Sequence, residues 1–420
     1  MQDKQNVFVK GNLITIYKME NQFCVSDFIR AMKKALRFIS KNGFNEINIE
    51  CLCAREHIFP DACVPISAII QEYKSLYEVK INIAIKNNNY LENCYFSNPL
   101  NLSAPEIKVL KNPLNKIFSY ESERDGSPQA AAIDQAFVDY MSRTVECEEG
   151  VLKGMMWCIY EVMDNVLMHS KAHKGYIMAQ YHKSTNIIAI CVYDCGIGIY
   201  NSLKLGGINP ASELDSINLA LQEGVSDGLG QGNGLYGLAQ IVEANGGRLA
   251  ISTGKSTLML KKGGPKAWRG NPVISKEHRS TTVDFQLELA NKTDIKEALR
   301  SIGDIEDFDI RIDKMVQEKS DWLIYKVSDY ADDTGTRPSG KALRIDVMNI
   351  IRRTGQPIII DFSDILICGS SFIDEFIAKL SIELGPVKFN QLIVLHNMNE
   401  ELVHLCNRAI AMRINKEWNP

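Results

Sequence analysis

The sequence predicts a multidomain protein in which α/β and α+β units follow one another along the chain. Its 420 residues allow about two to four domains of ordinary size. Strand and helix patterns alternate near both ends, whereas the middle combines long helices with consecutive strands. The apolar content of 45% and the charged content of 23% are typical of folded globular proteins.

Composition and charge narrow the possible partners. The 47 basic and 51 acidic side chains leave a net charge of -4, so no global field favours nucleic acid or anionic lipid. The first residues lack a signal-peptide core, and no apolar run approaches the ~18 residues of a membrane helix. The 11 cysteines are odd in number and contain no C-x-x-C pair. We therefore expect a reduced, cytoplasmic protein with no membrane segment.

The first third of the chain predicts a small α/β domain. Two alternating runs around Gly11 and Asn12 indicate a hairpin. The elements that follow are a helix over 27–41, a strand over 46–52, a helix over 65–76 with Pro65 in its first turn, and a strand over 79–85. Residues 87–115 are rich in Asn, Pro and Ser, which indicates a linker or an irregular surface arm.

The middle of the chain predicts an α+β domain. Helical patterns cover 130–143, 148–170 and 235–244, the last ended by Gly246. Strand patterns cover 175–182, 187–193, 248–253 and 281–289, and a polar excursion separates the last two. This domain is expected to span 116–292, after a first domain of 1–115.

The last domain, 293–420, repeats the pattern of the first. Its predicted elements alternate as strand 322–327, helix 341–353, strand 357–362, helix 371–384, strand 391–395 and helix 400–410. The similar order at both ends suggests a weak internal duplication of a small α/β domain.

A polar stripe on an apolar helix is the first functional signal. Residues 154–170 are apolar on nearly every side, yet Glu161, Asn165 and His169 recur every four residues and share one face. A buried carboxylate needs a partner or a ligand. The stripe is therefore either a partly exposed face or a binding site.

Two glycine motifs follow the stripe. Asp194 ends a buried strand and is followed by Gly196 and Gly198, which let a ligand approach the backbone. A second motif opens a helix, and glycines before a helix N-terminus form a phosphate cradle. Its residues are Gly230, Gly232, Asn233, Gly234 and Leu235. Each motif alone fits many turns, but their order on helix, strand end and helix start predicts a nucleotide site.

These motifs resemble the N, G1 and G2 boxes of the GHKL superfamily of ATPases and kinases, over about residues 130–290. The superfamily includes gyrase B, the MutL repair proteins, the large heat-shock chaperone, and the histidine and anti-sigma-factor kinases. The resemblance implies a central Bergerat-type α/β sandwich that binds ATP and Mg²⁺. It gives Glu161 the role of general base, Asn165 that of Mg²⁺ ligand, and Asp194 that of adenine acceptor.

The same resemblance places Gly196 and Gly198 near the base, Gly232 and Gly234 around the phosphates, and Thr282 beside adenine. Independently of it, Mg²⁺ prefers hard oxygen ligands and keeps several waters, and an adenine amino group requires an acceptor. The glycine-rich residues 199–237 are expected to form a mobile lid. The helix over 130–143 has no histidine, so a typical histidine kinase is not predicted.

Residues 320–410 resemble STAS-like domains, such as the anti-anti-sigma factors, whose phosphorylated serine lies in a strand-to-helix loop. Ser370 and Ser371 occupy this loop and are candidate phosphoacceptors, although capping of the next helix is the alternative role. A phosphate there is expected to crowd Asp374 and Glu375. Residues 1–115 resemble a degenerate STAS-like domain.

The sequence therefore predicts a Bergerat-type domain flanked by two STAS-like domains, in a regulatory switch that binds ATP or ADP. Two classes remain open. The protein either hydrolyses ATP or transfers its phosphoryl group to serine, or it uses ATP only to change a conformation or to dimerise. A protein partner is expected and a homo-oligomer is possible, with bacterial stress signalling or phage defence as settings suggested by the domain style.

Overall fold

The computed structural model describes residues 6–86, 88–121, 127–228, 232–302, 315–316 and 322–418. Its contacts divide the chain into two compact units. One comprises Met1–Val138 with Gly154–Ile302, and the other comprises Asp139–Lys153 with Gly303–Pro420. No helix in the described ranges is both long and apolar enough to span a bilayer.

The first unit begins with a four-stranded sheet. Its strands lie in chain order: β1 (Val7–Lys10), β2 (Leu13–Ile16), β3 (Glu46–Cys51) and β4 (Lys80–Ile85). The first two form the predicted antiparallel hairpin, and β2, β3 and β4 are parallel. The crossover helices are α1 (Gln22–Asn42) and α2 (Pro60–Tyr77). The predicted α/β pattern of this region is confirmed.

The prediction that α2 begins at Pro65 is wrong, because Pro60 occupies the first turn and Pro65 lies inside the helix. Proline is tolerated in a first turn, whereas inside a helix it cannot donate to the carbonyl four residues earlier. That carbonyl belongs to Asp61, and it accepts instead from the Gln22 side chain at 2.9 Å. A long-range hydrogen bond thus replaces the missing helical one.

Residues 88–115 do not form the expected linker or irregular surface arm. They contain two short helices, α3 (Asn89–Asn93) and α4 (Ala104–Lys108), followed by strand β5 (Phe118–Glu121). Leu91, Cys94 and Phe96 are fully buried in the core of the first unit. The polar composition did not indicate a surface segment, because its polar groups can bond within the fold. Asn88 caps α3 and donates to the Cys53 carbonyl at 2.7 Å.

A seven-stranded antiparallel sheet forms the rest of the first unit, in the order β10-β9-β8-β11-β7-β6-β5. The further strands are β6 (Lys174–His182), β7 (Ile187–Asp194), β8 (Arg248–Thr253), β9 (Ser256–Leu260), β10 (Lys266–Arg269) and β11 (Thr281–Glu288). The helices are α5 (Pro128–Thr144), α6 (Val151–His169), α7 (Gly198–Leu205), α8 (Glu213–Ala220), α9 (Gly234–Asn245) and α10 (Ile295–Ala298). The predicted excursion therefore extends the sheet as β9 and β10.

Alternating side chains give the large sheet two different faces. Tyr176, Cys191 and Tyr193 join the apolar core that contains α2. An ionic cluster also joins α2 to this sheet: Arg248 lies 2.8 Å from an Asp284 oxygen and 3.7 Å from one of Asp61. Burial raises the pKa of both carboxyl groups. The positive charge of Arg248 lowers both pKa values, but burial is the larger cause for each carboxyl group.

The second unit is built on three parallel strands in chain order: β12 (Leu323–Lys326), β13 (Ile358–Asp361) and β14 (Ile393–His396). Its helices are α11 (Val327–Tyr330), α12 (Arg337–Thr354), α13 (Ser370–Ile373), α14 (Lys379–Leu392) and α15 (Glu400–Trp418). Like β2, β3 and β4, these strands are joined by helical crossovers. The predicted helix over 371–384 contains a π-helical turn, Asp374–Ala378. Just beyond its predicted end, Gly385 has a positive φ of 73° and kinks α14.

The turn between α5 and α6 packs within the second unit through Asn349. The Asn349 amide donates to the Ser142 and Val145 carbonyls, both at 2.7 Å, and accepts from the Cys147 N–H at 3.0 Å. The side chain is 1% exposed, so these three bonds satisfy a polar group that would otherwise be costly to bury.

Candidate functional site

The start of α9 lies directly against the polar stripe of α6. A Cβ atom built on Gly234 would be 2.6 Å from Glu161 Oε2 and 3.2 Å from Asn165 Nδ2. The first of these distances is shorter than a van der Waals contact, so no larger residue fits unless the carboxylate moves. The structure thus brings together three of the residues that the motifs predicted.

Glu161 and Asn165, two of the three stripe residues, are partly buried. Burial, and secondarily the nearby Asp164 carboxylate, raises the pKa of Glu161 to about 7. The amide nitrogen of Asn165 is buried and has no hydrogen-bond partner among the described residues. A buried amide without a partner costs about 1–3 kcal/mol, so its retention points to a ligand or to solvent at this position.

Asp194 ends β7 and is held by its own loop. The carboxylate is 3% exposed, and its Oδ1 accepts from the Gly196 N–H at 2.7 Å. A hydrogen bond from the Thr281 side chain also reaches it. Burial outweighs both bonds and raises the pKa of Asp194 to about 7. A buried carboxylate with unused acceptor capacity is suited to a neutral N–H donor.

The glycines of this loop allow close packing. A Cβ on Gly196 would lie 2.1 Å from the Ser170 carbonyl oxygen, and Gly198 has a φ of 77°. The Ile197 N–H donates to the same Ser170 carbonyl at 2.9 Å. Ser170 directly follows the last residue of α6, so the Asp194 loop packs against the end of the helix that carries Glu161 and Asn165.

The threonine beside Asp194 is Thr281 rather than Thr282. In the register of β11 against β7, Thr281 pairs with Asp194, whereas Thr282 pairs with Tyr193 on the opposite face. Thr282 is buried on that opposite face and does not share the surroundings of the carboxylate. Sequence reasoning missed Thr281 because the two threonines are adjacent, and only the strand register shows which one faces Asp194.

The second glycine motif is described from Gly232 onward, and Gly230 lies outside the described residues. Gly232 has a φ of 75°, and a Cβ there would lie 2.6 Å from the Val225 backbone. Asn233 accepts from the Gly224 N–H at 3.0 Å. Leu235 lies in the first turn of α9 and is partly buried. These contacts fold the segment back on itself just before the helix.

The third residue of the stripe contacts the segment between α7 and α9. His169 Nδ1 lies 2.9 Å from Asp227 Oδ2, which also accepts from the Ser202 hydroxyl at 2.5 Å. The expected lid, residues 199–237, covers α7 except for Gly198, all of α8 and the first turn of α9, and the Asp227 contact joins it to α6. His169 therefore positions the segment beside the stripe.

The two candidate phosphoacceptors lie at the start of α13. Ser370 is exposed, and the Ser371 hydroxyl donates to the Gly335 carbonyl at 3.1 Å. The acidic groups that a phosphate there was expected to crowd already have basic partners. Asp374 is paired with Arg413 at 2.7 Å and with Arg337 at 3.0 Å, and Glu375 is paired with Lys379 at 2.7 Å.

Comparison with known proteins supports the assignment of the second unit. Residues 339–402 match a family described as a STAS-like domain of unknown function (DUF4325), which confirms the STAS-like prediction for this segment. No curated protein matches the sequence.

Among solved structures, the chain resembles the crystal structure of full-length ShkA in complex with AMPPNP, with 10% identity and a TM-score of 0.22. The match covers 64% of this chain and spans half the length of that one. A likeness at this level carries no information about activity.

Proposed function

We propose that the site formed by α6, the Asp194 loop and the start of α9 binds Mg-ATP, and that the chain is a nucleotide-dependent regulatory switch. The observation that carries the proposal is the approach of the α9 N-terminus to the polar stripe of α6, where the lack of a side chain at Gly234 lets the helix start pack directly against Glu161 and Asn165. The comparisons do not bear on nucleotide binding, so the proposal depends on this geometry and on the motifs.

The phosphate side of the site is the start of α9. This helix has 12 residues, and the first N–H groups of a helix have no partner within it, so they attract an anion. A half-turn of the Asn165 amide exchanges its buried, unpaired nitrogen for an oxygen, which is the atom that Mg²⁺ prefers. The residues present therefore fit a metal-bound phosphate.

The adenine side of the site is Asp194. Its buried carboxylate accepts one N–H from Gly196 and one hydroxyl from Thr281, which leaves lone pairs for the exocyclic amino group of a purine. The carboxylate is too buried to be well hydrated, so an N–H donor from the ligand would supply a hydrogen bond that water does not. We therefore assign recognition of the base to Asp194.

Glu161 is suited to general base chemistry. Bound Mg-ATP would supply an activated γ-phosphoryl group. A carboxylate with a pKa of about 7 accepts a proton from water or a serine hydroxyl more effectively than one of ordinary pKa. This property favours ATP hydrolysis or phosphoryl transfer over a role in binding alone.

The STAS-like segment is the proposed output of the switch. Nucleotide state would control the surface that it presents to a protein partner, and Ser370 and Ser371 are the candidate acceptors of phosphate. A second copy of the chain is a further possible partner. The alternative function is an ATP-gated scaffold without turnover.

The test combines calorimetric titration with ATP and ADP, with and without Mg²⁺, and a phosphate-release assay. Asn165→Ala is expected to weaken Mg-dependent binding at least tenfold, because a metal ligand acts in the ground state. Glu161→Ala is expected to keep ATP binding within about threefold and to abolish turnover, because a base acts in the transition state. Glu243→Ala, an exposed glutamate near the end of α9, is the matched control.

Three outcomes decide between the readings. Failure of the wild type to bind any adenine nucleotide rejects the proposal. Binding without phosphate release or protein labelling selects the scaffold. Loss of turnover in Glu161→Ala alone, with the control unchanged, supports the enzyme.

A further inference from the structure

The second unit contains a basic cavity that neither the motifs nor the STAS-like match assigns. Its volume is about 370 Å³, and it lies between the start of α13 and one face of α15. The polar side chains that line it are Arg337, Ser370, Ser371, Asp374, Arg408 and Arg413.

The cavity carries an excess of positive charge. Three arginines face one aspartate, which gives a formal charge of +2. Arg408 is exposed and makes no ion pair with any described residue. Arg408 therefore adds to the lining a positive charge that no described carboxylate pairs with, and an anion at this position would be attracted to it.

Asp374 occupies the place that an external anion would take. Arg413 donates to it from both Nε and Nη2 at 2.7 Å, and Arg337 donates from Nη1 at 3.0 Å. The fork of Arg413 matches a carboxylate or a phosphate equally well. Arg337 also donates to Glu375 Oε2 at 3.4 Å. Arg337 and Arg413 are therefore held by internal carboxylates, and Arg408 is the lining arginine without an ion pair among the described residues.

We propose that this cavity binds a phosphoryl group, either a free phosphate or a phosphate monoester on a partner polypeptide. A phosphate dianion is attracted by the arginine-rich lining, and its oxygens can accept from Arg408 and from the exposed Ser370 hydroxyl. The volume suits a phosphoryl group with a short attachment. The site does not depend on ATP binding by the first unit or on phosphorylation of Ser370 or Ser371.

The mode of binding follows from the existing contacts. Arg408 has no competing partner in the described part of the chain and is expected to make the first contact. Arg337 and Arg413 can then divide their donors between Asp374 and the incoming group. Since Asp374 competes for these donors, its removal is expected to strengthen binding.

The experiment is calorimetric titration of the full chain with three probes: inorganic phosphate, O-phospho-L-serine and a short peptide that contains phosphoserine. We expect Arg408→Ala to weaken binding at least tenfold and Asp374→Asn to strengthen it severalfold. Lys388→Ala, an exposed cation on α14 outside the cavity, should leave the affinity unchanged. The double variant Ser370→Ala, Ser371→Ala should bind within about threefold of the wild type, because the arginines supply the charge.

The three probes distinguish free phosphate from a phosphorylated partner polypeptide. A peptide that binds at least tenfold more tightly than inorganic phosphate indicates a phosphorylated partner, whereas equal affinities indicate free phosphate, and both support the site. Arg413→Lys keeps the charge but removes the fork, so it tests the geometry if a more drastic variant unfolds.

The proposal is overturned if no probe binds at millimolar concentration, or if the affinities of Arg408→Ala and Asp374→Asn equal that of the wild type. Phosphate that binds in the first unit instead would be insensitive to Arg408→Ala. Failure of the ATP proposal would not alter the Arg408 dependence, so the two proposals fail separately.

Discussion

Replacing Asp194 by asparagine should separate nucleotide binding from stability, because the two are expected to move in opposite directions. Asparagine keeps an oxygen for the Gly196 N–H, so the loop should stay folded. Its amide presents N–H groups in place of the second carboxylate oxygen, and these face the donor of a bound adenine. The loss of a charged hydrogen bond and the unpaired donor cost about 2–4 kcal/mol, or about 30- to 1000-fold in affinity.

Stability should change in the other direction. The pKa of Asp194 is raised from 3.8 to about 7, so the folded wild type is stabilised by a protonated carboxyl group at low pH. That stabilisation is lost as the pH rises from about 4 to about 7. The loss corresponds to a cost of about 4 kcal/mol for the buried charge above pH 7. Asp194→Asn has no charge to bury and should be more stable than the wild type at pH 8.

Calorimetry with ATP and denaturant unfolding at pH 5 and pH 8 test both parts. Asp332→Asn, at an exposed position, controls for the change in net charge. An unchanged ATP affinity would refute the assignment of the base site to Asp194. Equal unfolding free energies of wild type and variant at both pH values would refute the conclusion that burial raises the pKa of Asp194.

Three further predictions concern the pKa of Glu161, the pH dependence of stability and the phosphorylation of the two serines. Asp164→Asn should lower the pKa of Glu161 and move the rising limb of the pH profile of phosphate release to lower pH, by less than about one pH unit because burial is the larger cause; an unmoved limb would exclude Glu161 as the base. The pKa of Asp61 is raised in the folded state, so the wild type should lose unfolding free energy as the pH rises above about 4. Asp61→Asn should remove part of this loss. Identical pH dependence of the two proteins in chemical denaturation would contradict this prediction. Incubation with Mg-ATP should place phosphate on Ser370 or Ser371, and mass spectrometry should find none in the double alanine variant; an unmodified loop under all nucleotide and partner conditions would leave the two serines a local structural role.

Most helices and strands could be predicted from the sequence because their signals lie within a few neighbouring residues. The hairpin around Gly11 and the end of α9 at Gly246 depend on turn residues, and the strands of both small sheets depend on alternation or on short apolar runs. The grouping of Glu161 with Asn165 also depends only on helical spacing, which fixes a common face before any tertiary structure is known.

The features that the sequence did not predict depend on distant contacts. The start of α2 requires Gln22 to satisfy the carbonyl that Pro65 leaves free, across 39 residues. The choice of Thr281 over Thr282 requires the register of β11 against β7. No local pattern contains either fact.

The basic cavity could not be predicted for a related reason. Arg337, Arg408 and Arg413 come from two helices that are separated by more than one strand in the sequence, and neither helix carries a recognisable phosphate motif. The π-helical turn also follows from no composition signal, although it begins at Asp374, which Arg337 and Arg413 hold. Only the folded structure shows that the three arginines line the same cavity.

The buried cysteines provide the protein with its own reporters of local opening. All 11 thiols are free, ten are buried, and Cys368 alone is partly exposed. Burial raises the pKa of Cys368 to about 11, so even this thiol should react slowly with an alkylating reagent at neutral pH. The remaining thiols can react only when the surrounding core opens, eight of them in the first unit and Cys147 and Cys406 in the second. Pulsed alkylation followed by peptide mapping would therefore time the opening of each unit separately, with no introduced label.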